Sequence, residues 1–198
     1  MLLLMGPQIV RQDFRQDLPQ ADLLKLYPMR GWQLALGEIL APALILTSVQ
    51  WLLVLVAALC FAQTGSDLSG AVVVAIAVGA AIMLPMFNLI SLVIPNAAVL
   101  LFPGWFQTGK DAPQGIEATG QRLIFALGQF LALVVALIPA GAVFVGLFLL
   151  VKYAAGVLLA VPVASAAATV VLVVEASLGV MLLGRLFERL DISTEQTT

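Results

Sequence analysis

The chain has 198 residues, of which 62% are hydrophobic and only 10% are charged, and its formal net charge is -2. Its mean hydropathy of +1.11 places the average residue in hydrocarbon rather than water, which excludes an ordinary soluble globular domain. The charge balance is nearly neutral and contains no basic tract, so we expect no nucleic-acid partner. Cys60 is the only cysteine, which excludes an internal disulfide and a cysteine metal cluster.

Residues 1–40 contain all of the charged residues that precede the first long apolar run, and we predict that they form a cytoplasmic segment. Pro28 suits the first position of a helix and disfavours a helical Tyr27, so a helix is predicted to begin at this Tyr-Pro elbow. From Met29 to Leu40 apolar residues recur at spacings of three and four. This spacing is typical of a helix that lies on a membrane surface or beneath a partner. An ordinary juxtamembrane helix with an aromatic anchor fits it equally well.

Long stretches without charged residues predict about four membrane crossings. A crossing needs about 20 apolar residues, and it must be helical because only a helix satisfies its own backbone in lipid. The fold class is therefore all-α, a polytopic membrane helix bundle in one domain. We place the crossings at 41–62, 70–102, 122–151 and 156–184, followed by a cytoplasmic tail at 185–198.

The run 68–109 is too long for one straight crossing, and its prolines must bend or break it. Lys110 and Arg122 flank the loop that follows, and basic residues favour the cytoplasm, so one net crossing fits better than two. Pro42 lies in the first turn of the first crossing and marks a possible bend after the surface helix. Small residues four apart predict two close-packing faces. They are Ala71, Ala75 and Gly79 in the second crossing, and Ala160, Ala164 and Ala168 in the fourth.

The distribution of basic residues predicts the orientation of the bundle. With four crossings, eight of the nine Lys and Arg residues fall on one side and Lys152 alone falls on the other. Because basic residues are enriched on the cytoplasmic side, we expect both termini to be inside. The eight are Arg11, Arg15, Lys25, Arg30, Lys110, Arg122, Arg185 and Arg189.

Few chemically active residues lie inside the crossings. Glu175 is the only charged residue well inside one, about 15 Å along the helix from Arg185. It is a candidate proton or cation site or part of a substrate path, or else a neutral or hydrogen-bonded cross-link to Gln50, Asn88 or Gln129. Histidine is absent from the sequence and no paired acids lie at depth, so we predict no catalytic site, no metal site and no enzyme activity.

Three segments of the sequence resemble the ABC exporter permeases, which are related to the ABC-2-type membrane subunits. The first is the Tyr27-Pro28 elbow with the helix that follows it and Glu38. The second is Asn-Ala-Ala-Val-Leu-Leu-Phe-Pro at 96–103, and the third is Gly-Ile-Glu-Ala-Thr-Gly-Gln-Arg-Leu-Ile-Phe at 115–125. The resemblance covers most of residues 6–192.

The resemblance implies a membrane-spanning exporter subunit in a bacterial inner membrane, working as a homodimer or with a second permease half. A separate ATPase subunit would hold ATP and magnesium, and this chain would carry no cofactor. The elbow would be the coupling helix that docks in a cleft of that ATPase. Its residues would be Leu24, Lys25, Tyr27, Pro28, Met29, Arg30, Gly31 and Trp32. Permeases of this kind usually have more helices per half, so the chain is expected to be a C-terminal fragment.

Two other functions fit the same sequence. The first is an ion-coupled secondary transporter that uses Glu175. The second is a membrane scaffold subunit that transports nothing. Apolar helices do not identify a substrate in any of these cases.

Overall fold

The computed structural model describes residues 28–63, 69–102 and 116–189. These residues form four α-helices, α1 (Gly31–Gln63), α2 (Gly70–Leu101), α3 (Ile116–Ala155) and α4 (Val157–Arg189). Nearly every described residue belongs to one of them, and none of the described residues is in a strand. The predicted all-α fold is confirmed.

Each of the four helices is long and apolar enough to cross a membrane. The shortest has 32 residues and the longest 40. At 1.5 Å per residue their lengths are about 48 to 60 Å, whereas the hydrocarbon core is about 30 Å thick. The bundle is therefore that of a polytopic membrane protein, with helix ends long enough to reach past the hydrocarbon.

The structure differs from the sequence prediction at the beginning of α1. This helix begins at Gly31, three residues after Pro28, because local bonds place its cap at Arg30. The Arg30 carbonyl accepts the N–H of Gln33 at 2.9 Å, and the Gln33 Oε1 accepts the Arg30 N–H at 3.0 Å. The second bond is half of a capping box, which satisfies a donor that a helix start leaves unpaired.

A second difference concerns the boundary between the surface helix and the first crossing, which the sequence places near Pro42. The helix continues through this proline to Gln63, so the surface helix and the first crossing are a single element. Pro42 is fully buried. A proline inside a membrane helix removes one backbone bond, which neighbouring helices and local adjustments can compensate. Burial against the rest of the bundle therefore outweighs the helix-breaking tendency at this position.

Within the second run, the described residues Gly70–Leu101, which include Pro85 and Pro95, form one continuous helix, α2, in agreement with one net crossing. Pro85 has no N–H to donate to the carbonyl of Ala81, one turn earlier. The indole Nε1 of Trp51, on α1, donates a hydrogen bond to this carbonyl at 2.9 Å. A side chain of the neighbouring helix thus supplies the donor that the proline lacks.

Helix α4 lies at the centre of the bundle and packs against all three other helices, most extensively against α2 and α3. Helix α1 packs against α2 and α4, and α3 packs mainly against α4. One apolar cluster joins α1, α2 and α4, with Ile39, Val99 and Leu183 among its members. A second joins α2, α3 and α4 and includes Ile90 and Leu172.

The predicted small-residue faces lie mostly inside the bundle. Ala160, Ala164 and Ala168 of α4 are fully buried, whereas on α2 two residues of the predicted face are buried and Ala71 is exposed. A Cβ on Gly79 would lie 2.6 Å from the Oγ of Ser165. Small side chains therefore set the close approach of α2 to α4.

Polarity is distributed as expected for a protein dissolved in lipid. Large apolar side chains cover the outside of the bundle, and on α3 Leu123, Leu127 and Leu131 are 62% to 71% exposed. The polar side chains buried between the described helices are Thr47, Gln50, Asn88, Ser91, Asn96 and Ser165. Water would not tolerate so large an apolar surface on a monomer, whereas lipid does. The structure therefore supports an integral membrane protein.

We expect the two ends of the bundle to lie on opposite sides of the membrane, with the α1 N-terminus inside. In a Cys60→Ala background, intact cells that carry Met29→Cys or Tyr153→Cys would be treated with a membrane-impermeant maleimide. The exposed Tyr153 position, at the end of α3, should be labelled, and the Met29 position should be labelled only after the membrane is opened. Labelling of the Met29 position in intact cells would contradict the N-in orientation.

Candidate functional sites

The predicted elbow is only partly visible in the described residues. Pro28, Met29 and Arg30 precede α1 and are exposed. Gly31 begins the helix and is buried, whereas Trp32 is 40% exposed. The visible part of the elbow is thus an exposed segment joined to a buried helix start. The remaining elbow residues lie outside the described residues: Leu24, Lys25 and Tyr27.

Gly31 attaches the elbow to the last turns of α4. Its N–H donates a hydrogen bond of 2.9 Å to the Oε1 of Glu188. A Cβ on Gly31 would clash with the carbonyl oxygen of Gly184, and a Cβ on Gly184 would clash with the backbone of Gly31 and Trp32. Two glycines therefore let the two backbones cross in close contact, and the carboxylate also interacts favourably with the positive end of the α1 dipole.

Exposed charged side chains surround this crossing, which we call the α1–α4 joint (Gly31, Gly184 and Glu188). Arg30 lies beside it on the elbow, and Arg185 and Arg189 lie on α4. Glu188 is also exposed and accepts the Gly31 N–H through one of its two carboxylate oxygens. The described surface at this end therefore presents three cationic side chains, one carboxylate and apolar groups together, a combination that suits a protein partner or lipid head groups.

A buried polar network joins α1 to α2. The Nδ2 of Asn88 donates hydrogen bonds to the Oε1 of Gln50 at 2.7 Å and to the Oγ1 of Thr47 at 2.9 Å. Both amide hydrogens of Asn88 are thereby used. The structure brings together two of the predicted polar residues, Gln50 and Asn88, and adds Thr47, which was not among the residues predicted from the sequence. Thr47 could have been recognised because it lies three residues before Gln50, which places both side chains on one helix face.

Glu175 does not join this network. Its Oε2 is shielded from solvent and has no hydrogen-bond partner among the described residues, although the side chain as a whole is half-buried. Gln129, on α3, is also half-buried. The described structure thus contains none of the predicted cross-links from Glu175 to Gln50, Asn88 or Gln129.

Within the described ranges, no group of three or more His, Cys, Asp or Glu side chains could hold a metal ion. No family model, no curated protein and no solved structure matches this chain. The described residues thus offer three candidate features, the α1–α4 joint, the polar network and the isolated carboxyl group of Glu175.

Proposed function

We propose that this chain is the membrane-spanning subunit of an ATP-binding-cassette exporter in a bacterial inner membrane. The observation that carries the proposal is the α1–α4 joint, which ties the exposed elbow to the central helix. A separate ATPase subunit would dock on the elbow and hold ATP and magnesium. A second copy or a second permease half would complete the transport path.

The joint gives the elbow a mechanical connection to the rest of the bundle. Gly31 is fixed to α4 by backbone contact and by the hydrogen bond that its N–H donates to Glu188. Because α4 packs against α1, α2 and α3, a displacement of the elbow acts on a helix that contacts all the others. Packed interiors transmit such displacements because they are stiff. Movement of a docked ATPase would thus reach the middle of the membrane.

The exposed elbow also has the chemistry of a docking surface. Met29 is 49% exposed and Trp32 40% exposed, beside the exposed guanidinium of Arg30. Tryptophan, methionine and arginine are enriched in protein interfaces, and tryptophan and arginine often supply much of the binding energy. The same groups would suit a membrane surface, and copurification of an ATPase with this chain distinguishes the two kinds of partner.

A second candidate is an ion-coupled secondary transporter, which the unpartnered carboxyl oxygen of Glu175 favours. It predicts transport that depends on an ion gradient and persists when ATP is depleted. The exporter proposal predicts the opposite dependence. A scaffold subunit predicts that neither ATP nor a gradient changes the flux of any solute.

We expect Arg30→Glu to release the ATPase partner. The tagged chain would be co-expressed with an ATP-binding protein encoded beside it, and the copurified ATPase would be quantified. Loss of the elbow cation at a docking surface should weaken binding by about tenfold. Pro28→Gly, which frees the backbone before α1, should also weaken it.

Lys152→Glu provides the matched control, because it reverses the same charge at the end of α3, far from the elbow. It should leave the amount of copurified ATPase unchanged. Equal recovery with Arg30→Glu, Pro28→Gly and the unmodified chain would remove the elbow from the mechanism.

A further inference from the structure

Glu175 is an isolated acid in the spanning part of α4. The helix regions 39–63, 70–101, 123–151 and 157–174 contain no charged residue. Its Oε2 is enclosed, and none of the described residues hydrogen-bonds to it. An enclosed oxygen without a partner is unfavourable, so a cationic group that pairs with this carboxyl group would stabilise it.

The neighbours of Glu175 on α4 belong to an apolar cluster. Leu172 and Ala176, its neighbours on α4, belong to the cluster shared by α2, α3 and α4. Met83, Met86 and Phe87 of α2 pack against the same cluster. One turn further along α4, Gly179 faces Val93. A Cβ on Gly179 would lie 2.8 Å from the Cγ1 of Val93, so the absence of a side chain lets the two helices approach closely here. Methionine side chains adapt to irregular apolar shapes, and aromatic faces attract cations.

These surroundings discriminate between kinds of cation. Inorganic ions such as Ca²⁺ or Mg²⁺ need about six or more oxygen ligands, and the described residues supply no second acid at this depth. An organic cation with apolar substituents needs only one carboxylate, because its substituents are satisfied by apolar walls. Part of the Glu175 side chain is exposed on the bundle, so such a molecule can reach it from the bilayer.

We propose that Glu175, with the apolar cluster that its neighbours on α4 share with α2 and α3, binds a lipophilic monovalent organic cation. As a substrate site it rests on the proposed transport function, but binding itself requires no ATPase. The two proposals can therefore fail separately.

The test is equilibrium binding of tetraphenylphosphonium to the purified chain in detergent, without ATPase. We expect saturable binding that Glu175→Gln weakens by about tenfold or more. Glu175→Asp, which keeps the charge, should retain part of the affinity. Ser177→Ala is the control on the same helix, since this exposed hydroxyl bonds only its own backbone at Val173. It should bind like the unmodified chain.

Tetraphenylborate has nearly the same shape and the opposite charge, so it reports apolar partitioning alone. It should bind equally to the unmodified chain and to Glu175→Gln. Equal tetraphenylphosphonium affinity in these two proteins, or no saturable binding by either, would overturn the proposal. If the Glu175→Gln protein does not fold, judged by its elution and helix content, Glu175→Asp decides: it must then bind the cation saturably and more tightly than the anion.

Discussion

Gly184→Ala should destabilise the bundle more than most single methyl additions. The new Cβ would meet the backbone of Gly31 and Trp32, which cannot rotate away as a side chain can. Overpacking of this kind costs about 1 to 3 kcal/mol. We therefore expect a lower midpoint in thermal unfolding of the purified protein in detergent, followed by circular dichroism.

Gly141→Ala is the matched control for this substitution. Gly141 lies within α3, and a Cβ added there would meet nothing within 4 Å. Alanine is a better helix former than glycine by about 0.8 to 1 kcal/mol, so this variant should be as stable as the unmodified chain or more stable. If Gly184→Ala unfolded at the same midpoint as Gly141→Ala, the close crossing of α1 and α4 would not exist in the membrane protein.

The positions of the four helices could be predicted from the sequence because the physics of lipid leaves few choices. A long run without charge cannot remain in water, and in lipid only a helix satisfies such a backbone. The continuity of α1 through Pro42 was harder to predict from the sequence. It depends on burial of that proline against other helices, which no local pattern reveals.

The same distinction applies to the candidate sites. Gln50 and Asn88 were recognisable as buried polar residues because each interrupts an apolar run. The sequence could not show that they bond to one another rather than to Glu175, since this depends on which helices are neighbours and in which register. No sequence pattern indicates the role of Glu188, which the structure places against Gly31.

Asn88→Leu should loosen the contact between α1 and α2. Leucine fills a similar volume but donates nothing, so the Oε1 of Gln50 and the Oγ1 of Thr47 lose a donor while buried. Interhelical hydrogen bonds in membranes are worth about 0.6 kcal/mol on average, and an unpaired buried group costs about 1 to 3 kcal/mol. We expect a loss of about 1 to 3 kcal/mol in reversible unfolding in mixed micelles.

Two further variants separate loss of hydrogen bonds from changed packing. Gln129→Leu removes an amide from α3, where Gln129 is only half-buried, and it should change stability by less than about 0.5 kcal/mol. Combining Asn88→Leu with Gln50→Leu and Thr47→Val replaces every member of the network, and an apolar set of similar shape can be nearly neutral. Partial recovery in this triple variant would show that unpaired acceptors cause the loss. If Asn88→Leu alone were neutral, α1 and α2 would be held by apolar contacts and by the Trp51 bond to Ala81, and the polar network would be dispensable.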